Sequence, residues 1–366
     1  MKKIVVIGCG AVLELCHRKA LSRIAPSLGF QVVGLIDPNP DRLAKAQSWF
    51  PASRGFAEAN SCFETMNDVA LTVITSPPPL HLVHAKAALA HGSHVLCEKP
   101  LAGSVADAEA IVAAAGGHGR ALSLGMTRRF YPCFVEARRR ILAGALGPNL
   151  SFVYREGSVY NWQVASAAPF RRETSGGGVL LDKGVHALDS LGYLFGSGTL
   201  TSNADDGPME SVEANTVTRL QFERAAGTMQ LSWDMNLSNG LHIQGSAGEL
   251  WIPAGPLNVL FARDNPSESW RREPVRHPWP LDLQKEGGRQ GCPRDYIECF
   301  SFQLVQTLRA IELGEPPAVT GQEGVATLRL IASAYAMAVP LDKPWLSPVE
   351  QALARQHHWQ RSAVLK

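Results

Sequence analysis

Ile4-Val5-Val6-Ile7 is a short, β-branched, wholly apolar run, the pattern of a central parallel strand covered by helices on both faces. Gly8-Cys9-Gly10 follows at once, and apolar residues then recur at Leu13, Cys16, Ala20, Leu21 and Ile24 with helical period until Pro26 and Gly29. A second apolar run, Gln31 to Ile36, closes a βαβ unit with Asp37 at its tip. The alternation continues with a strand over Ala70 to Thr75, a Ser76-Pro77-Pro78-Pro79 loop, a helix over Leu80 to Ala90 and a strand over His94 to Cys97. A helix opened by the capping pattern Ser104-x-x-Asp107 leads to a last strand, Ala121 to Met126. Strands alternating with helices predict a doubly wound parallel sheet, a Rossmann dinucleotide-binding domain over residues 1–126.

The period then changes. A helix over Tyr131 to Ala143 precedes a strand, Leu150 to Glu156, and three further strand-like runs: Ala214 to Phe222, Gly227 to Met235 and Gly240 to Gln244. Strands without intervening helices predict an α+β domain over 127–340 with a large, mainly antiparallel open sheet, whose exposed face is a candidate oligomer surface. Residues 262–294, rich in Pro, Gly and charge, predict a long loop. A helix over Glu323 to Ala338 and a polar tail, 341–366, carrying Trp345 and Trp359, finish the chain.

At 366 residues the chain exceeds what one core serves, in keeping with two domains. Its formal charge of +2 leaves no electrostatic footprint for nucleic acid or an anionic membrane surface. No run approaches the length of a membrane helix. Seven cysteines without a Cys-x-x-Cys pair predict free thiols in a reducing compartment. The apolar run between Lys3 and Cys9 is far shorter than a signal core, so the expected location is the cytoplasm.

Chemistry gathers at two places. In the first, Gly8 permits a tight turn and Gly10 lets the backbone approach a pyrophosphate, which the helix start at Ala11, Val12 and Leu13 faces with N–H groups. Leu13 stands where the dinucleotide pattern has its third glycine. Asp37 follows Leu13 by 24 residues, close to the spacing of an acid that holds a ribose 2′-hydroxyl and repels a 2′-phosphate. The cofactor predicted is therefore NAD, although Arg42 offers a partner for NADP. Alternatively, Asp37-Pro38-Asn39-Pro40 is a turn that caps the next helix. Glu98 and Lys99 arrive where Pro100 stops the fourth apolar run. Carboxyl ends of parallel strands are where ligands bind, so the pair either faces a crevice or is a solvated strand end.

In the second, Gly176-Gly177-Gly178 precedes a helical pattern in which Asp182 and His186, four apart, project together. A carboxylate beside an imidazole fixes its tautomer and raises its pKa, which suits proton transfer; the same spacing also describes an ordinary surface pair. A metal reading on Asp182, His186 and Asp189 lacks a second His or Cys at ligand spacing, and no metal is expected. Lys183 is an extra base expected in solvent. Tyr160, Asn161 and Trp162 either stack on a sugar or anchor a loop.

Together these residues resemble the Gfo/Idh/MocA oxidoreductases. The matching motifs are Gly8-x-Gly10, Asp37, Ser76-Pro77 with His81, Glu98-Lys99-Pro100, Arg129-Phe130 with Pro132, and Gly177-Gly178 followed by Asp182-x-Gly184-x-His186-x-x-Asp189. The resemblance implies hydride transfer between a nicotinamide and a carbinol or keto carbon of a sugar, cyclitol or nucleotide sugar. It implies that Lys99 and His186 are acid/base groups and that Asp182 orients them or binds substrate. It places Ser76, Pro77, His81, Glu98, Lys99 and Arg129 by the cofactor, and Lys99, Tyr160, Trp162, Asp182, Lys183 and His186 by the substrate. A homodimer or homotetramer through the open sheet is implied as well. Two other readings remain: a non-catalytic dinucleotide-binding regulator, which would lack the Lys or the His, and a dehydrogenase of a non-sugar substrate.

Overall fold

A computed structural model describes residues 1–161, 167, 170–207, 211–275, 293–342, 347–353 and 355–356. The chain forms two compact units, residues 1–131 with 277–326 and residues 132–276 with 327–366. In the first unit the order is β1 (Lys2–Ile7), α1 (Arg18–Leu28), β2 (Phe30–Ile36), α2 (Pro40–Trp49), β3 (Arg54–Phe56) and α3 (Ala59–Thr65). It continues with β4 (Val69–Ile74), α4 (His81–Ala90), β5 (His94–Cys97), α5 (Val105–Gly117) and β6 (Leu122–Leu124). The six strands are all parallel in the order β3-β2-β1-β4-β5-β6. The order reverses at β1 and β4, which makes their carboxyl ends the ligand edge of such a sheet. Ile7 pairs with Ile36 and Ile74, and Ile74 with Cys97, so the turns after β1, β2, β4 and β5 emerge level with one another.

The apolar runs are buried on both faces, as a helix-covered sheet requires. Sequence period ends the first helix at Pro26 and Gly29; α1 runs through Pro26 to Leu28 and stops at Gly29, φ +61°. A proline so near the end removes one backbone hydrogen bond without a following turn to disrupt.

The second unit holds α6 (Pro132–Leu142), β7 (Leu150–Gly157), α7 (Arg172–Ser175), α8 (Val179–Asp182), α9 (Gly184–Phe195), β8 (Gly198–Asp205), β9 (Asn215–Phe222) and β10 (Ala225–Ser232). Four shorter strands follow: β11 (Gly240–Gly245), β12 (Gly248–Pro253), β13 (Leu260–Arg263) and β14 (Arg271–Glu273). The segment read as a long loop instead holds β14 and the last two residues of β13, which pair antiparallel at the sheet edge. Charge is what hid β14: Arg271-Arg272-Glu273 has the composition of a protected edge rather than of a buried strand.

The chain ends with α10 (Tyr296–Leu313), α11 (Gly321–Ala336) and β15 (Ala338–Pro340). A nine-stranded sheet results, β14-β13-β12-β11-β7-β10-β9-β8-β15, antiparallel except at the β7–β10 and β8–β15 pairs. In β9, Thr216, Thr218, Leu220 and Phe222 face inward while Arg219 and Gln221 are exposed. Under the buried face Phe152 stacks on Phe195 at 5.4 Å.

Where the sequence pattern sets a boundary at 126, the contacts set it at 131 and return residues 277–326 to the first unit. The returning helix, α10, packs Phe300, Leu304, Val305 and Leu308 into the core beside Leu21 and Ile24 of α1. Asp295 caps it by accepting the Glu298 N–H at 2.8 Å.

Candidate active site

Gly8 adopts φ +97°, and a Cβ there would lie 2.6 Å from Ser76 N and 2.7 Å from Thr75 C. Only glycine lets the turn after β1 sit against the turn after β4. Thr75 Oγ1 ties them further by donating to Gly8 O at 2.6 Å. A Cβ on Gly10, in contrast, would meet nothing within 4 Å, so the space above the turn is open. Ala11, Val12 and Leu13 begin the helix, where N–H groups have no intrahelical acceptor. Leu13 itself is fully buried in the core, so the missing third glycine is accommodated by packing.

Asp37 is buried; its Oδ2 accepts the Cys9 N–H at 2.8 Å and its Oδ1 the Asn39 N–H at 2.9 Å. Capping of α2 falls to Asn39, whose Oδ1 accepts from Asp41 and Arg42 N–H at 3.0 Å each. Asp37 therefore fixes the glycine turn rather than the helix. Burial, with the Asp37 charge beside it, pushes the Cys9 thiol up to about 12. Open space over Gly10, the helix start and a buried acid at the β2 tip together fit a dinucleotide's pyrophosphate and ribose.

Ser76 is buried, Pro77 exposed. His81, in α4, has no exposed surface: Nε2 lies 2.8 Å from Ser76 O, and Nδ1 lies 3.1 Å from Pro100 O and 3.2 Å from Leu101 O. Burial holds its pKa below the ordinary value. His81 thus sits between the loops after β4 and β5, and in the neutral form its one N–H donates to a main-chain carbonyl there. Arg129, expected by the cofactor, is 8% exposed and ion-paired with Glu323 at the start of α11. Burial pushes Glu323 up, but Arg129 and the Thr320 donors outweigh it and hold the carboxyl below its ordinary range. Lys99 is half-buried directly after β5, and the Lys99–Pro100 bond is cis. Glu98, 8% exposed, accepts the Lys99 N–H at 3.1 Å.

In the second unit Tyr160 stands edge-on to Phe170 and Trp233 at ring distances of 5.1 and 5.0 Å. Burial and the nearby Asp182 charge raise the Tyr160 pKa, so Tyr160 and Asp182 share one neighbourhood. Asp182 is exposed at the end of α8, and His186 is half-buried in the first turn of α9. Trp162 lies outside the described residues. Asp189 is 2% exposed, and among the described residues no group of three or more acidic, His or Cys side chains could hold a metal ion. Lys183, expected in solvent, instead donates to Ser158 Oγ at 2.9 Å and Ser232 O at 3.1 Å, because the ammonium lies over the ends of β7 and β10.

Glu213 is a residue that sequence reasoning misses. Its Oε1 accepts from Gly178 N–H and Leu180 N–H at 3.0 Å each and from Tyr335 OH at 2.8 Å, with Arg172 3.5 Å from the other oxygen. It caps the segment that carries Asp182. The glycines before α8 are explained by the same contacts: a Cβ on Gly177 would lie 2.1 Å from the Tyr335 hydroxyl, and one on Gly178 2.1 Å from Glu213 O. A lone acid between strands carries no sequence signal of this partnership.

Burial raises the Glu213 pKa, so the fold favours the protonated carboxyl while the unfolded chain ionises in the ordinary range. The wild type should therefore lose stability relative to Glu213→Gln as pH rises above about 4. Thermal melts of both proteins from acid to neutral pH measure it. A gap that moves the other way would show that Arg172 keeps Glu213 ionised.

Two successive stretches of the chain match sequence models of one class, an oxidoreductase family with an NAD-binding domain. Residues 2–126 match the model described as an oxidoreductase family with an NAD-binding Rossmann fold, and residues 134–251 match the GFO/IDH/MocA C-terminal domain. The chain belongs to the Gfo/Idh/MocA oxidoreductase family. It is 31% identical over 195 residues to an inositol 2-dehydrogenase of Acidothermus cellulolyticus, a match spanning 53% of each protein, about half the length of that relative. It is 25% identical over 320 residues to a 1,5-anhydro-D-fructose reductase of Ensifer adhaerens, covering 82% of this chain and 86% of that one. The fold superposes on a levoglucosan dehydrogenase solved with NADH and levoglucosan at a TM-score of 0.79, 19% identity and coverage of 97% and 98% of the two chains.

Proposed function

We propose that this protein is an NAD-dependent oxidoreductase that moves hydride between a nicotinamide and a carbinol or keto carbon of a sugar, cyclitol or nucleotide sugar. The observation that carries the reading is Lys99, delivered by β5 to the same sheet edge as the Gly8–Gly10 turn and Asp37. The cofactor, when bound, supplies the hydride acceptor or donor. Gly8, Gly10, Ala11, Val12 and Leu13 form the pyrophosphate turn, Asp37 holds the ribose with Arg42 flanking it, and Ser76, Pro77 and Glu98 border the cofactor. Lys99 takes or returns the proton of the reacting hydroxyl. Tyr160, Asp182 and His186 bind the polyol, His186 serving as a second proton carrier, with Lys183 and Trp162 at their margin. The names of the relatives, an inositol dehydrogenase and an anhydrofructose reductase, support a polyol or sugar substrate.

The enzyme is further read as a cytoplasmic homodimer or homotetramer that associates through the open face of its nine-stranded sheet. Six free, buried cysteines among the described residues and the half-buried Val153, Trp251 and Phe261 on that sheet support this. The regulator reading is disfavoured by the presence of both Lys99 and His186.

Fluorescence titration with NADH and NADPH tests the cofactor assignment. Wild type should prefer NADH, and Asp37→Ala should weaken NADH about tenfold, the value of one or two hydrogen bonds to a carboxylate, while weakening NADPH less. Equal loss for both would mean that Asp37 serves only the Cys9 turn. Failure to bind either dinucleotide would sink the oxidoreductase reading. Hydride transfer to a panel of sugars, cyclitols and nucleotide sugars, read by nicotinamide absorbance, then identifies the substrate.

A further inference from the structure

The helix after the glycine turn does not start as a plain α-helix. Leu13–His17 forms a π-turn, closed by the Arg18 N–H donating to Leu13 O. Such a turn holds one residue more than an α-turn, and single π-turns concentrate at functional sites. Here two consecutive residues, Cys16 and His17, enter the core, while Leu15 stays outside with 44% of its surface exposed.

His17 Nε2 lies 2.7 Å from Glu98 Oε1, and its ring stands edge-on to Phe300 at 4.9 Å. Nδ1 is buried with no hydrogen-bond partner among the described residues. An imidazolium would strand a charged N–H there, whereas the neutral Nε2–H tautomer strands only a lone pair, so the geometry makes His17 a neutral donor to the carboxylate. The other Glu98 oxygen accepts the Lys99 N–H, and Gly125 leaves room for the carboxyl: a Cβ there would lie 2.9 Å from Glu98 Cδ.

We infer that His17 is a positioning residue for Lys99, acting through Glu98; the inference rests on the reading of Lys99 as the acid/base. With His17 donating, Glu98 stays a hydrogen-bonded carboxylate tied to the Lys99 main chain. Without that donor a buried carboxylate must find another. The ammonium of the next residue is within chain reach, and an amine drawn to a carboxylate keeps its proton to higher pH. The other ionisable groups that feel the Glu98 charge are Cys16, Cys97, His81 and Tyr296, and Arg128 and Tyr131 lie beyond them against Tyr296. Burial pushes the Cys16 thiol up to about 11, raises Cys97 and Tyr296 as well, and lowers His81, so burial holds all four in their neutral forms.

The test reads the Lys99 amine directly, by its acetylation with acetic anhydride as a function of pH, quantified on the Lys99 peptide by mass spectrometry, in the full chain with and without NADH. His17→Phe keeps a ring against Phe300 and removes the donor; its labelling midpoint should rise by about one pH unit. His17→Gln, whose amide can donate to Glu98, should restore it, and Glu98→Gln should lower it. NADH affinity should stay within about threefold in both His17 variants. An unmoved midpoint in His17→Phe, or a His17→Gln no nearer to wild type, overturns the inference. If His17→Phe does not fold, His17→Gln must match wild type and Glu98→Gln must fall below it, and failure of either overturns it. Labelling needs no substrate, so the two readings fail separately: a fully active Lys99→Met enzyme overturns the acid/base assignment, whereas an unmoved labelling midpoint overturns only the role of His17.

Discussion

Lys99→Met should lower turnover by about 10²–10⁴-fold on the polyol that the hydride-transfer screen returns, while NADH affinity stays within about threefold. Methionine fills nearly the same volume and leaves the Lys99 N–H free to donate to Glu98, so the turn after β5 keeps its backbone contact. What disappears is the one group at that strand end able to take the hydroxyl proton as hydride leaves the same carbon. Positioning of cofactor and substrate survives, which is why the loss should fall on kcat rather than on NADH binding. Steady-state kinetics with a parallel NADH titration decide it. A variant with more than about a tenth of wild-type turnover would remove Lys99 from the chemistry.

Gly8→Ala should cost about 3–5 kcal/mol of stability, the sum of a positive-φ penalty and an overpacked backbone contact. The new methyl would meet Ser76 N and Thr75 C, main-chain atoms held in place by Thr75 N–H donating to Ile7 O at 2.8 Å. Relief would require opening the β1–β4 pair at its ligand edge. Gly10→Ala is the informative companion, because its methyl would meet nothing within 4 Å. That variant should melt within about 1 kcal/mol of wild type yet bind NADH at least about tenfold more weakly, since the methyl would occupy the space assigned to the pyrophosphate. Calorimetry and NADH titration on both variants separate the two roles. Equal melting temperatures for the two would show that the Gly8 turn yields easily, and unimpaired NADH binding by Gly10→Ala would move the cofactor elsewhere.

Much of the dinucleotide edge was legible in sequence because its signals are local. A wholly apolar strand, the glycines that follow and an acid at the next strand tip lie within the first 37 residues, and Pro100 marks the end of β5 one residue after Lys99. Helical spacing reads Asp182 and His186 as one helical face, whereas the structure ends α8 at Asp182 and carries His186 on α9. Edge strands and surrounding contacts were less readable. Arg271-Arg272-Glu273 looks like loop because edge strands carry charge, and α10 gives no sign in its own pattern of which core it joins.

The sequence by itself determined the alternation of elements, the parallel sheet and the candidate chemistry at its carboxyl edge, since periodicity and turn residues act over a few positions. Only the tertiary structure decided the polar partnerships. His17 meets Glu98 across 81 residues, Glu213 caps Gly178 across 35, and Arg129 is taken by Glu323 across 194. It also set His81 between the loops after β4 and β5 and drew Lys183 out of solvent. The physical reason is that a hydrophobic pattern states which side of an element is buried, but not what covers it. A buried polar group takes whichever donor or acceptor the packing brings within about 3 Å.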